Sequence, residues 1–278
     1  MENTKTVKAL KKQLVAAIAM VLVAAVALGS STYAWFVSNN TVKGTTTTIS
    51  AQSNAPFLKI DKEALSDSST TTATRASEES VALYPAEVVK NTEGNAPLFQ
   101  SAYAASRSAS TILEGSRFDV GTADVASEGD NKYALKQSFV IGTTDGKAGS
   151  FKNLKVAKVE LTGETEGTLL GDALSVLVVC GNNWAVYKKS NDGAVLTNYY
   201  DNTSAEGNNT NGILADTIAA ASSVTVDCYI FYDGSEAQVH TDNLSKNKLT
   251  ALGATITFTA TPVSTNGKDA GSGDNFVE

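Results

Sequence analysis

Side chains able to do chemistry at neutral pH are few in this chain, and their spacing limits what they can do. The single histidine among 278 residues, His240, stands in Ala237-Gln238-Val239-His240-Thr241-Asp242. A zinc protease of the His-Glu-x-x-His kind sets two histidines on one helical face, so a lone imidazole excludes that mechanism. No nucleophile adjoins it, and His240 reads as a loop residue rather than a general base. The two cysteines, Cys180 and Cys228, fall on the apolar sides of predicted strands. A catalytic Cys-His pair needs an accessible thiol of lowered pKa. These two read instead as small core residues or as a disulfide between two strands, and sequence alone leaves both open because distance decides. Acidic and amide clusters at Asp119–Asp124, Glu128–Asn131, Asp201–Asn211 and Asp269–Asp274 lack the regulated oxygen spacing of a calcium loop. They read as solvated loops. Tyr187, Tyr199, Tyr200, Tyr229 and Tyr232 suit either a sugar-binding face or an ordinary core. A carboxylate pair for glycoside hydrolysis requires only proximity in space, and nothing singles one out. No phosphate loop or dinucleotide fingerprint occurs. The expectation is a protein that is not an enzyme, with no metal and no cofactor.

Charge and the N-terminus point to a location. The formal net charge is -7, but Lys5, Lys8, Lys11 and Lys12 outweigh Glu2 within residues 1–34. The remainder carries 18 basic against 28 acidic side chains, which would repel a nucleic-acid backbone. After the lysines comes the apolar run Leu14 to Leu28, then Gly29-Ser30-Ser31 and Thr32-Tyr33-Ala34. A basic end, a run of about 15 apolar residues and small residues at the two inspected positions form a secretory leader. Cleavage after Ala34, with Thr32 as the other small position, would start the mature chain at Trp35. The competing reading is an uncut anchor, since the uncharged stretch through Val37 reaches the roughly 20 residues a membrane span needs. Either way the membrane is met only through the leader helix, and the protein is expected to be secreted or at the cell surface.

The elements that follow are dominated by Thr, Val, Ser, Ala, Gly and Asn, a composition of strands and turns. Ala254 to Ala260 alternates apolar residues with threonine, the pattern of a strand with one face on a core. Val224 to Tyr232 places Val224, Val226, Cys228, Ile230 and Tyr232 on a core face. Tyr229 and Phe231 make its other face apolar, which predicts that part of the strand is covered on both sides. Tyr133 to Gly142 is a strand with Tyr133, Leu135, Phe139 and Ile141 on one side. Leu154 to Leu161 changes phase between Val156 and Ala157, which predicts a bulge. Leu174 to Cys180 and Trp184 to Lys188 flank a hairpin turn at Gly181-Asn182-Asn183. Pro56 to Ile60 and Val81 to Val89 are weaker strands. Ser66–Ser80, Ser106–Ser110 and Asn198–Gly212 are expected as loops or short helices, and Ile213 to Ala221 as a helical segment. Short strands between turn signals predict an all-β antiparallel β-sandwich of jelly-roll type. The expected organisation is a leader at 1–34, an extended segment at 35–51, one β domain over 52–265 and a tail at 266–278.

The leader junction, Ser31-Thr32-Tyr33-Ala34-Trp35-Phe36-Val37-Ser38-Asn39-Asn40-Thr41-Val42, leads into the Thr-rich stretch Lys43 to Ser50. Together with Val226 to Gly234 and the closing Thr/Phe strand Ala254 to Ala260, it resembles the TasA/camelysin (CalY) family of secreted biofilm-matrix fibre proteins of Gram-positive bacteria. The likeness covers about a third of the chain and implies a jelly roll, removal of the leader by a dedicated signal peptidase, and polymerisation. In that family the mature N-terminal segment pairs as a strand with the next subunit. Here Trp35, Phe36, Val37, Val42 and Ile49 would make that polymerisation strand, the aromatic residues setting register. The segment 35–51 holds no proline or acidic residue and one lysine. Strand addition of this kind is head-to-tail and builds an open filament. The partners implied are further copies of the chain, with a second matrix subunit left open. Camelysin-type relatives are described as metalloproteases, and this chain lacks the ligands for that. The competing class is a membrane-anchored monomeric surface adhesin or carbohydrate-binding module.

Overall fold

A computed structural model describes residues 42–44, 47–53, 58–77, 81–91, 96–102, 117–120, 133–144, 149–162, 173–189, 195–203, 212–234 and 253–263. Its strands run in chain order as β1 Val42–Gly44, β2 Thr47–Ser53, β3 Lys59–Asp61, β4 Thr72–Ser77, β5 Val81–Leu83, β6 Glu87–Lys90, β7 Pro97–Ala102 and β8 Arg117–Val120. Then follow β9 Leu135–Gly142, β10 Ser150–Thr162, β11 Leu174–Cys180, β12 Asn183–Lys189, β13 Val195–Asp201, β14 Ile213–Ile218, β15 Ser223–Tyr232 and β16 Gly253–Val263. The fold is all-β, as the β-branched composition predicts. Among the described residues no helix is long and apolar enough to cross a membrane. The leader 1–34 and the tail 266–278 lie outside the described residues.

One large sheet carries the order β3-β9-β15-β11-β12-β13-β10-β16-β2-β4, with β14 also on β10. Its pairings are antiparallel except that β2 runs parallel to β16, Ile49 beside Ala254 and Ala51 beside Ile256. The sheet's two end strands approach each other where Ile60 N donates to Thr70 O at 2.7 Å. The inner face buries Ile49, Phe139, Ile141, Leu154, Val226, Ile256 and Phe258, among others. Alternation puts these residues on one side of each strand. Fully burying side chains of this size stabilises the fold by about 1.5–3 kcal/mol each before chain entropy is charged against it.

The outer face of β15, β11 and β12 is covered as well. A three-stranded sheet, β6-β7-β8, lies over it. A second apolar cluster there gathers Val88, Phe99 and Val120 from the cover with Leu177, Trp184, Val186, Tyr229 and Phe231 from the large sheet. Phe99 meets Phe231 edge-on, ring centres 5.4 Å apart. Tyr229 and Phe231 therefore do what their position in the sequence predicts: the C-terminal half of β15 is buried from both sides.

The hairpin β11–β12 turns at Gly181-Asn182, with Cys180 paired to Asn183. Gly181 has φ +59°, the left-handed value that a two-residue hairpin needs at its first turn position. β10 pairs Val156 with Phe258 and Lys158 with Thr257, so Ala157 is an extra residue at the expected bulge. A second shift lies between Lys152 and Lys155, where Asn153 has φ +55°.

Three expectations are corrected. Ile213 to Ala221 is no helix: Ile213–Ile218 is β14, antiparallel to β10. Leu214 and Ile218 are its buried residues, a spacing of four that mimics one helical face, and the edge of β10 overrides the propensity. Within Ser66–Ser80, Thr72–Ser77 is β4, pairing with β2. Within Asn198–Gly212, the first four residues finish β13.

Candidate functional site

The N-terminal segment is the first place to look. Within it Thr47–Ser53 forms β2, set between β16 and β4. Ile49 and Ala51 are fully buried there. Gln52 Nε2 donates to Thr257 Oγ1 at 2.8 Å, and the Ser50 and Thr74 hydroxyls are 3.0 Å apart. Val42–Gly44 pairs with Val81–Leu83 of β5, Val42 opposite Leu83. Within 35–51, residues 42–44 and 47–51 thus pair inside their own chain. Their backbone groups find partners within the same chain because later strands leave a slot that an alternating Thr/Ile/Ala strand fills. Trp35, Phe36 and Val37, with the cleavage positions Thr32 and Ala34, lie outside the described residues.

An open polar cleft of about 690 Å³ lies at one end of the large sheet. One wall is the loop after β3, with Glu63, Ser66 and Asp67, and the other is the β14–β15 turn, with Ser222 and Ser223. The loop is tied down locally. Lys59 Nζ donates to the Asp67 carbonyl at 3.0 Å, and Ser69 Oγ donates to Asp61 Oδ2 at 2.6 Å. That Ser69 bond, helped by the Lys62 backbone N–H, holds the Asp61 carboxyl below its usual range. The opposite wall depends on Gly142. A Cβ there would sit 2.1 Å from the Ser222 carbonyl oxygen, so only glycine lets β9 and β15 come this close. Thr143 N then donates to Ser222 O at 3.0 Å, and Ala221 N donates to Thr143 Oγ1 at 3.0 Å. Ala221 takes φ +53° to complete the turn. The cleft offers hydroxyls and carboxylates for hydrogen bonding. Sequence reasoning missed it, since its residues come from three distant segments and share no motif.

The thiols are packed away from solvent. Both cysteines are free and buried. Cys228 lies opposite Val178 rather than Cys180, so the strand register sets the two thiols on a diagonal. The disulfide alternative gives way to the reading of small core residues. Burial pushes the Cys180 thiol up to about 11 and the Cys228 thiol further. Tyr187, Tyr200, Tyr229 and Tyr232 are core residues, and burial raises Tyr187, Tyr229 and Tyr232. Tyr200 bonds the Val88 carbonyl of the cover sheet. His240 lies outside the described residues. Among the described residues no group of three or more His, Cys, Asp or Glu side chains is placed to hold a metal ion. No protein-family model matches this chain, and comparison with curated proteins and with solved structures finds no match.

Proposed function

We propose that this protein is a secreted structural subunit of an extracellular fibre or biofilm matrix, its body a jelly-roll-type β-sandwich. After the leader is removed behind Ala34, the N-terminal segment of one copy takes a strand position in the next. The observation that carries this reading is the place of β2. Both walls of its slot, β16 and β4, come later in the chain. An identical strand from another copy makes the same backbone bonds and buries the same Ile49 and Ala51, so exchange between copies loses no contact. Trp35, Phe36 and Val37 would lead the exchanged segment, and Val42 and Ile49 would follow.

Locking β2 at home tests this. Ser50→Cys with Thr74→Cys joins strands whose side chains already touch, and the disulfide is formed in the monomer. The oxidised mature protein is expected to stay monomeric in electron micrographs, and reduction is expected to restore filaments. A second variant lacks residues 35–41 and keeps β1 and β2. Filaments from both the locked and the shortened protein would refute the reading.

A membrane-anchored monomeric adhesin is the second reading. It is favoured by the pairing of β1 and β2 inside their own chain and by the open polar cleft. Mass spectrometry of the exported protein separates the two, because the anchored form keeps Met1.

A further inference from the structure

A buried charge pair stands outside everything described so far. Lys188 Nζ lies 2.6 Å from Asp233 Oδ2, with the two side chains 8% and 1% exposed. Lys188, next to the last residue of β12, lies on the face that also carries Trp184 and Val186. Asp233 follows β15 on the face of Tyr229 and Phe231. The backbone fixes both ends. Asp233 N donates to Ala173 O at 2.8 Å and Gly234 N to Ala86 O at 3.0 Å. Lys188 is held in register between Ser175 on β11 and Thr197 on β13. The second apolar cluster, with Ala86, Val186 and Phe231, lies beside the pair.

We propose that Lys188 and Asp233 condense into an intramolecular amide, a covalent crosslink between β12 and the end of β15. A buried ion pair gains little over its desolvation cost. In a dry site, passing one proton from the ammonium to the carboxylate removes both charges. That leaves a neutral amine against a neutral acid. The amine nitrogen adds to Asp233 Cγ, a second amine hydrogen moves to the departing hydroxyl, and one water leaves. The third hydrogen stays on the amide nitrogen, so atoms and charges balance and no oxidant or cofactor enters. Fixing two reactants at contact supplies an effective concentration on the order of 10⁵–10⁸ M. Exclusion of water opposes the reverse reaction.

The crosslink does not depend on the fibre reading. Intact-mass spectrometry of the denatured full-length protein is expected to find it one water lighter than its sequence. Proteolysis is expected to yield a branched peptide joining the segment around Lys188 to that around Asp233. Lys188→Arg keeps the charge but cannot form the amide, and is expected to show the full mass. Full mass in the wild type, with both residues in separate linear peptides, would overturn the proposal. So would a loss of water that persists in Lys188→Arg, since that traces to ring closure at Asp233-Gly234. The branched peptide decides the matter however the variant folds.

Discussion

Substituting Gly142 by alanine should be among the most damaging single-methyl changes in this molecule. The added Cβ would lie 2.1 Å from Ser222 O and 2.7 Å from Ser223 Cα, both backbone atoms that cannot swing aside. Restoring ordinary contact requires β9 and the start of β15 to separate by more than an ångström. Overpacking of this kind costs about 1–3 kcal/mol. The hydrogen bond from Thr143 N to Ser222 O is lost with it, a further cost of about 1 kcal/mol. Gly181→Ala supplies the internal comparison. Nothing lies within 4 Å of a Cβ there, and only the φ of +59° resists, about 1–2 kcal/mol. A domain this size loses about 2–4 °C of Tm per kcal/mol. Gly142→Ala should therefore melt roughly 4–16 °C below wild type, and Gly181→Ala roughly 2–8 °C below it, as read by circular dichroism. Hydrogen exchange should show the Gly142 effect centred on 140–144 and 221–225. A Gly142 variant as stable as wild type would refute the close approach of the two strands.

Other expectations follow from the same structure. Phe99→Ala and Phe231→Ala should each cost about 3–5 kcal/mol. The double variant should fall short of their sum by about 0.5–1.5 kcal/mol, since the edge-on pair is lost only once; urea titration checks this, and strict additivity would place the cover sheet elsewhere. Asn153→Gly should be neutral while Asn153→Ala loses about 1 kcal/mol at the left-handed bulge position, a difference that thermal melts resolve. Both thiols should ignore thiol-specific reagents in the folded state and react together on unfolding. Because burial raises them in the folded state, their contribution is complete below the unfolded value near 9 and is lost as pH rises toward about 11 for Cys180. Each thiol should lower stability by about 1.4 kcal/mol per pH unit across that window, and urea midpoints that stay flat from pH 8 to 10.5 would contradict it.

What could be read from residues alone follows how regularly they alternate. Ala254, Ile256 and Phe258 are buried between half-buried threonines, as the strand pattern requires. Tyr229 and Phe231 announced a second layer without saying what would form it. The strands that do so, β6, β7 and β8, are four, six and four residues long, too brief for periodicity to stand out. β4 reads Thr-Ala-Thr-Arg-Ala-Ser, and its polar side chains suit a strand at the sheet's end rather than an apolar alternation. In β14, exposed Asp216 interrupts Leu214 and Ile218 on what would be the core face, so the period of two is hidden. The cleft was illegible for a different reason. It exists because Gly142 permits a close approach, and a lone glycine carries no record of what it approaches.

The parallel contact between β2 and β16 bears on when the molecule can fold. Gln52 and its partner Thr257 are 205 positions apart. A nascent chain leaving the ribosome must therefore hold β2 without β16 on one side until that strand, the last among the described residues, has been made. Such distant closure makes maturation slow and late. During that wait one backbone edge of the Thr-Ile-Ser-Ala strand lacks the partner that β16 later supplies.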